Sequence, residues 1–468
     1  MKFTWKAPSM QMALASGALA VILAFPMSGR AADELTLSEA ITAAQTHDKE
    51  YLASQTLGDT ADALRSQANS LWRPQVMVTA AIGKSNHETR VAGAQFSAAA
   101  FGTDPITGAN FNTDINRGNL MQWAVSAKQP LFNLARNAQS QQLKAAASMA
   151  DLQKSSAQQA MIIRTSERYF DAQLAQQKLQ LLSAQLASTQ KMAEEAQYRY
   201  DIGNRPITEV YEAQAQLARI QAEHYAAQSD VQLKLQRLQD AIGNVPNTLP
   251  NSVMLKEPLP KLDEVAVWLE KARNHNTELR MQSLAVQNAQ AKANEYALGA
   301  SASLDLIGQI GRQKLTGDGD YGRASNRENT SMIGVQLTMP LYTGGYNSAK
   351  HKEAQTALKK AQLDLVATQE RVAQQVNSAW LGAKTAQLQV TALTRALKAA
   401  AAQLDATKTG QEVGHRTVLD VLNAQNQTTN TRIQLEAAKQ NYVLSRLRLG
   451  ALVEDLDSSL MTQIIEHQ

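Results

Sequence analysis

Cysteine is absent from this sequence, so it can build no disulfide framework, thiolate zinc site, thiol nucleophile or lipid-modified N-terminal cysteine. Aromatic residues make up only 5%, and 23 glycines and 11 prolines are few for 468 residues. That scarcity excludes a turn-rich, mainly β chain and a collagen-like or proline-rich one. After the N-terminus no run of about 18 apolar residues occurs, which excludes a multi-span helical membrane protein. Catalytic signatures are also missing. The seven histidines form no HExxH or other close pair, and there is neither a P-loop nor a nucleophile elbow. Gly317-Asp318-Gly319-Asp320-Tyr321-Gly322 matches GxGxxG but lies in a polar stretch with no helix after it, so a dinucleotide site is not expected. Asp318 and Asp320 could at most hold a weak calcium ion. No cofactor is expected, and an enzyme is a remote reading.

A strong charge of one sign is lacking too, once the N-terminus is set aside. Residues 1–31 read as a secretory signal, with Lys2 and Lys6 before an apolar core from Met12 to Phe25 and small residues at Gly29 and Ala31. Three of the 46 basic residues (Lys2, Lys6 and Arg30) and none of the 42 acidic ones fall there, so the exported chain is near +1. Nucleic-acid binding therefore loses its compositional support.

What is present is a duplication. Leu37-Ser38-Glu39-Ala40 recurs as Leu262-Asp263-Glu264-Val265, and Lys128-Gln129-Pro130-Leu131-Phe132 as Thr338-Met339-Pro340-Leu341-Tyr342. Ile202-Gly203-Asn204-Arg205-Pro206 through Val210 recurs as Val413-Gly414-His415-Arg416-Thr417 through Val421. Repeat 1 spans 32–243 and repeat 2 spans 262–450, with a proline-rich linker at 244–261 and a tail at 451–468. Each repeat reads helix, strand, strand, very long helix, helix. Leu131 to Ile202 holds no Gly or Pro, enough for a rod of about 100 Å; its partner runs from Tyr346 to Thr409. Shorter helices follow at 207–242 and 415–449. The opening helices are expected over 34–72 and 261–298, and the arithmetic suggests that two half-length helices stack end to end beside each rod. A rod this long needs neighbours along its length, and its abundant Ala and Gln suit a thin-walled bundle or tube. An ordinary coiled coil would explain the rods equally well, but not the strands.

Strands are expected at 74–83, 120–129, 301–312 and 331–339, with polar loops at 84–119 and 312–329. Met121, Trp123, Val125 and Ala127 alternate with Gln122, Ser126 and Lys128, and Ile333, Val335, Leu337 and Met339 with Gly334, Gln336 and Thr338. Each segment has the length of a tilted membrane strand with one apolar and one polar face. Pro130 and Pro340 are expected to end their ladders. Four strands leave two open edges, which lipid does not tolerate. Several chains must then share one wall. The alternative is a small four-stranded sheet covered by helices, in a soluble protein.

These features resemble the TolC-like outer-membrane factor family of Gram-negative bacteria. The carriers are the duplicated plan and the paired tips, above all Val413-Gly414-His415-Arg416-Thr417-Val418-Leu419-Asp420-Val421-Leu422. The resemblance implies a mainly α fold with a minor β part: a homotrimer whose twelve-strand transmembrane β-barrel, four strands per chain, continues as a twelve-helix periplasmic α-barrel. It further implies a passive export duct in the outer membrane, in contact with outer-membrane lipid. Such a duct docks a periplasmic adaptor and an inner-membrane ABC or proton-driven transporter for type I protein secretion, drug efflux or both. The missing cysteine points to the unacylated branch, which in that family serves type I protein secretion and sometimes also drug efflux. The other reading is a structural periplasmic coiled coil or adaptor without a pore.

The family pattern also assigns roles. Asp420, repeated by threefold symmetry, would ring the periplasmic entrance, with Asn423 one turn on and Glu209 as the counterpart in repeat 1. The residues alone make Asp420 a capping or helix-dipole carboxylate and Glu209 a helix-end charge. Arg416 would brace the closed entrance, and Gln411 stands where the family often has an aromatic partner. Gly203, Asn204, Arg205, Gly414, His415 and Arg416 form the tips that an adaptor would touch; the glycines also suit ordinary helix termini.

Overall fold

The computed structural model describes residues 35–96, 102, 104, 106–204, 206–244, 249–250, 252–256, 258–297, 302–320, 322–454 and 456. The proposed signal at 1–31, position 205 and most of the tail at 451–468 lie outside them.

Helices α1 (Leu37–His47) and α2 (Lys49–Ser70) open the chain, followed by strands β1 (Gln75–Phe96) and β2 (Ile106–Asn133). Rod α3 (Leu134–Asp201) and helix α4 (Ile207–Ile242) complete the first half. The second half is α5 (Val265–His275), α6 (Thr277–Glu295), β3 (Ser303–Gly319), β4 (Gly322–Thr338), rod α7 (Tyr346–Glu412) and α8 (Val418–Ala451).

Each opening helix, expected as one piece, is two. Asp48 ends α1 and starts α2, its carboxylate accepting the Tyr51 N–H at 2.9 Å. Asn276 does the same between α5 and α6, accepting from Leu279 N–H at 3.1 Å. A side chain that caps the following helix satisfies its orphan donors where the chain bends.

The core lies at mid-rod. There Leu37, Ile41 and Ala44 of α1 meet Leu238 and Ile242 of α4, against Met161, Ile162, Tyr169 and Phe170 of α3. The short helices thus meet end to end alongside the rod. Of α3's buried positions many are alanine, among them Ala138, Ala147, Ala172 and Ala196, so neighbouring backbones approach closely and the wall stays thin. A second cluster joins Trp268 and Leu279 to Val372 and Val376 of α7. The described parts of the segment between the halves lie against the rods: Leu249 and Val253 are buried, and Gln173 donates to the Pro250 carbonyl at 2.9 Å.

The four strands form one antiparallel sheet in the order β1-β2-β3-β4. They are longer than their apolar stretches. The expected polar loops are largely ladder: Lys84 pairs with Asn119, Arg90 with Asn112, and Arg312 with Asn329. β3 and β4 close at Gly319 and Gly322, so the GxGxxG stretch is a hairpin end, where Asp318 pairs with Arg117 at 3.1 Å. Polar alternation continues the ladders because beyond the apolar band both faces meet water. Pro130 does not end β2 either. The strand runs to Asn133 through a register shift between Pro130 and Phe132, an irregularity that tolerates the missing N–H.

One sheet face is exposed and apolar, with Val76, Val78, Ile82, Ile333, Val335 and Leu337 open to the surroundings. The opposite face carries Lys128 paired with the buried Asp305 at 2.8 Å. No helix among the described residues is long and apolar enough to cross a membrane.

Candidate functional site at the helical tips

Both rods end in the same kind of turn. After α3, Gly203 takes φ +75°, its N–H donating to the Tyr200 carbonyl at 2.8 Å, while the Asn204 N–H reaches Arg199 at 2.9 Å. After α7, Gly414 takes φ +82° and donates to Gln411 at 3.1 Å, while His415 N–H reaches Gly410 at 2.8 Å. A left-handed residue two past the last helical turn reverses the chain and satisfies the orphan carbonyls, and glycine adopts it without a Cβ penalty. Gly203, Asn204, Gly414, His415 and Arg416 are all exposed, and Gln411 is half-buried.

The restarts differ. α4 begins at Pro206, whose side chain makes no cap hydrogen bond. α8 begins with a complete capping box: Thr417 Oγ1 accepts from Asp420 N–H at 3.1 Å, and an Asp420 carboxylate oxygen accepts from Thr417 N–H at 2.9 Å. The Thr417 N–H, then its hydroxyl and the Arg416 charge hold the Asp420 carboxyl below the usual carboxylate range, against a small opposing effect of burial. Asp420 is therefore ionised at neutral pH. It is half-exposed, and Asn423, three residues on, is exposed.

The two tips pack side by side. Ala193 and Ala196 of α3, Ala213 of α4, and Val418 and Leu422 of α8 make one small cluster. Higher up, Ser188 donates to Gln425 at 3.2 Å and Gln185 to Asn426 at 3.4 Å. In this packing Glu209 is buried in the first turn of α4, unlike Asp420. Arg416 folds its stem over its own rod: a Cβ on Gly410 would lie 2.9 Å from Arg416 Cγ. Its guanidinium makes no ion pair among the described residues of this protomer.

One feature of the tips was not read from the sequence. Tyr198, Tyr200, Ile202 and Tyr211 are exposed around the first tip and Val413 at the second. Their signal was large apolar side chains at the end of a rod whose buried stripe is rich in alanine.

The family model for outer membrane efflux proteins matches residues 40–244 and 268–453, most of both halves. The chain belongs to that family. TolC of Vibrio cholerae is 29% identical over 320 residues, covering 66% of this chain and 71% of that protein. The alkaline protease secretion protein AprF of Pseudomonas aeruginosa is 25% identical over 362 residues, 76% of this chain and 74% of its own. Among solved structures, the Campylobacter jejuni CmeC outer membrane channel superposes with a TM-score of 0.69 at 15% identity, over 91% of this chain and 87% of that one. VceC of Vibrio cholerae gives 0.67 at 17% identity, over 89% and 95%. The fold is TolC-like, mainly helical with a minor antiparallel sheet. The chain is an outer-membrane export duct, with the sheet in the membrane and the helical tunnel in the periplasm; its family is one of ducts, not of enzymes.

Proposed function

We propose that three copies of this chain share one twelve-strand barrel and one twelve-helix tunnel. The observation that carries this reading is the sheet itself: β1 and β4 are open edges, and the exposed apolar face needs lipid. Unpaired backbone groups find no water in hydrocarbon, so the edges must meet the edges of other copies. A pore-free coiled coil leaves that face without a role.

In the trimer the tips Gly203, Asn204, Arg205, Gly414, His415 and Arg416 receive a periplasmic adaptor, and an inner-membrane ABC or proton-driven transporter supplies the energy. The likeness to AprF, named for protease secretion, supports type I protein secretion, and the family's description as efflux proteins supports drug efflux. Three Asp420 carboxylates ring the entrance and favour cations. The neutral Asn423 adds no second ring, and the buried Glu209 stays a helix-end charge. Arg416, packed on Gly410 beside Gln411, braces the closed entrance until adaptor contacts shift the hairpin outward.

Conductance across a planar bilayer tests the assignment. The wild-type protein gives a small, cation-preferring conductance, Asp420→Ala loses the preference, and Arg416→Ser raises conductance. Unchanged selectivity in Asp420→Ala would remove that residue from the entrance.

A further inference from the structure

The apolar face of the sheet changes chemistry at one level. Its last apolar residues away from the helices are Ile82, Met121, Ile310 and Ile333, all exposed. On that same face, at this boundary, stand Lys84, Arg312, Lys314 and Arg327, since ladder partners share a face and residues two apart along a strand repeat it. All four are exposed. Lys314 stands directly opposite Arg327, and its other neighbour Met121 stands opposite Ile82. Two like charges placed opposite each other across a ladder destabilise it. Three other cations of the sheet do have acidic partners: Lys128 with Asp305, Arg117 with Asp318 and Arg90 with Glu88. These four have none among the described residues. Lys84 and Arg312 donate only to the neutral side chains of Asn119, at 2.5 Å, and Asn329, at 2.7 Å.

The height of the cluster identifies what lies beside it. The ten residue steps from Leu304 to Lys314, at a rise of ~3.3 Å and a barrel tilt of ~40°, climb about 25 Å, the height of a barrel's apolar band. The cations therefore stand where hydrocarbon gives way to headgroups, on the side away from the periplasm. Trp123, Cα partner of Arg312, lies at the same level, as aromatic residues do at membrane interfaces.

We propose that Lys84, Arg312, Lys314 and Arg327 bind the phosphate groups of an anionic glycolipid headgroup in the outer leaflet. Bound phosphate relieves the Lys314–Arg327 repulsion, and the acyl chains of the same lipid lie on the apolar strands directly below, which free phosphate cannot do. The arginines offer paired N–H donors and Lys314 a point charge, a set suited to phosphate oxygens. The proposal rests on the sheet being a membrane wall, but not on the roles of the tip residues.

The test titrates the detergent-solubilised trimer with a bisphosphorylated lipid A and, separately, with its dephosphorylated form, reading bound lipid by native mass spectrometry. Lys314→Gln/Arg327→Gln should weaken binding of the phosphorylated lipid roughly tenfold or more, and the dephosphorylated lipid should bind wild type and variant alike. Arg327→Glu supplies a folding control: it pairs with Lys314 across the ladder, so the trimer should melt no lower than wild type in lipid-free detergent while losing the lipid. Equal binding by wild type and variants, or equal binding of both lipids by wild type, overturns the proposal. Competition by millimolar inorganic phosphate alone would make this a simple anion site and overturn the lipid assignment. Planar-bilayer conductance of the same preparations reports separately whether the duct reading stands.

Discussion

At the joint between α1 and α2, Asp48 ends one helix with its N–H on the Ala44 carbonyl and starts the next with its carboxylate on the Tyr51 N–H; at the joint between α5 and α6, Asn276 does the same with Ala272 and Leu279. The backbone asks the same thing of both. The neighbouring chain does not. Across from Asp48, which is 4% exposed, stands Arg164, whose guanidinium reaches both carboxylate oxygens at 2.8 Å while also pairing with Glu50 at 2.6 Å. Across from Asn276 stands the Leu452 carbonyl, which takes a hydrogen bond from Nδ2 at 2.9 Å. A carboxylate cannot donate, so the second joint requires an amide, whereas the first can use a charge because a cation is in reach. Duplication preserved the cap while each partner selected its own chemistry.

Exchanging the two chemistries should break that correspondence. Asn276→Asp keeps the cap but buries a carboxylate against the Leu452 carbonyl, at a cost of about 3 kcal/mol. Thermal melting of the purified protein should drop accordingly; an unchanged midpoint would mean that the Leu452 contact is incidental. Asp48→Asn also keeps the cap and loses the charged contact, but Arg164 retains Glu50, so the cost falls to about 2 kcal/mol.

The same pair separates by pH. Burial raises the Asp48 carboxyl, but hydrogen bonds from Arg164 and the Tyr51 N–H, with the Arg164 charge, outweigh it and hold the group below its usual range. A depressed folded value means that the contribution is present above the unfolded value of about 4 and disappears as pH falls through the folded one. The gap in melting temperature between wild type and Asp48→Asn should therefore be full at neutral pH and close progressively on acidification below about pH 4. A gap that stays constant to pH 2 would rule out the ionised contact as its source.

The smallest effects belong to the tips. Gly203→Ala and Gly414→Ala each place a Cβ at positive φ in open space, with nothing within 4 Å, so each should cost only the backbone penalty of about 1 kcal/mol. A much larger loss at one tip, seen by melting the trimer, would mark a contact between copies there.

The rods and tips were legible because uninterrupted helix-forming sequence and a repeated Gly-x-Arg turn are local signals. Asp420's cap was legible too, from Thr417 three residues before it. The breaks at Asp48 and Asn276 were not read, since no Gly or Pro marks them; the available signal was an Asx residue with Glu two positions on, in both halves. Extension of the hairpins past the apolar band escaped because period-2 hydrophobicity vanishes when both faces are wet. The burial of Glu209 depends on how α3, α4 and α8 come together, which no local pattern encodes.

The most direct test of the central claim uses the missing cysteine. With none in the native chain, single cysteines introduced along the outer edges of β1 and β4 can cross-link only through the engineered positions. If three copies close one barrel, oxidation in the membrane should join β1 of one copy to β4 of the next and end in a covalent trimer, with dimer as the intermediate. Exclusive monomer at every pair of positions, or a ladder that continues beyond three, would contradict the account.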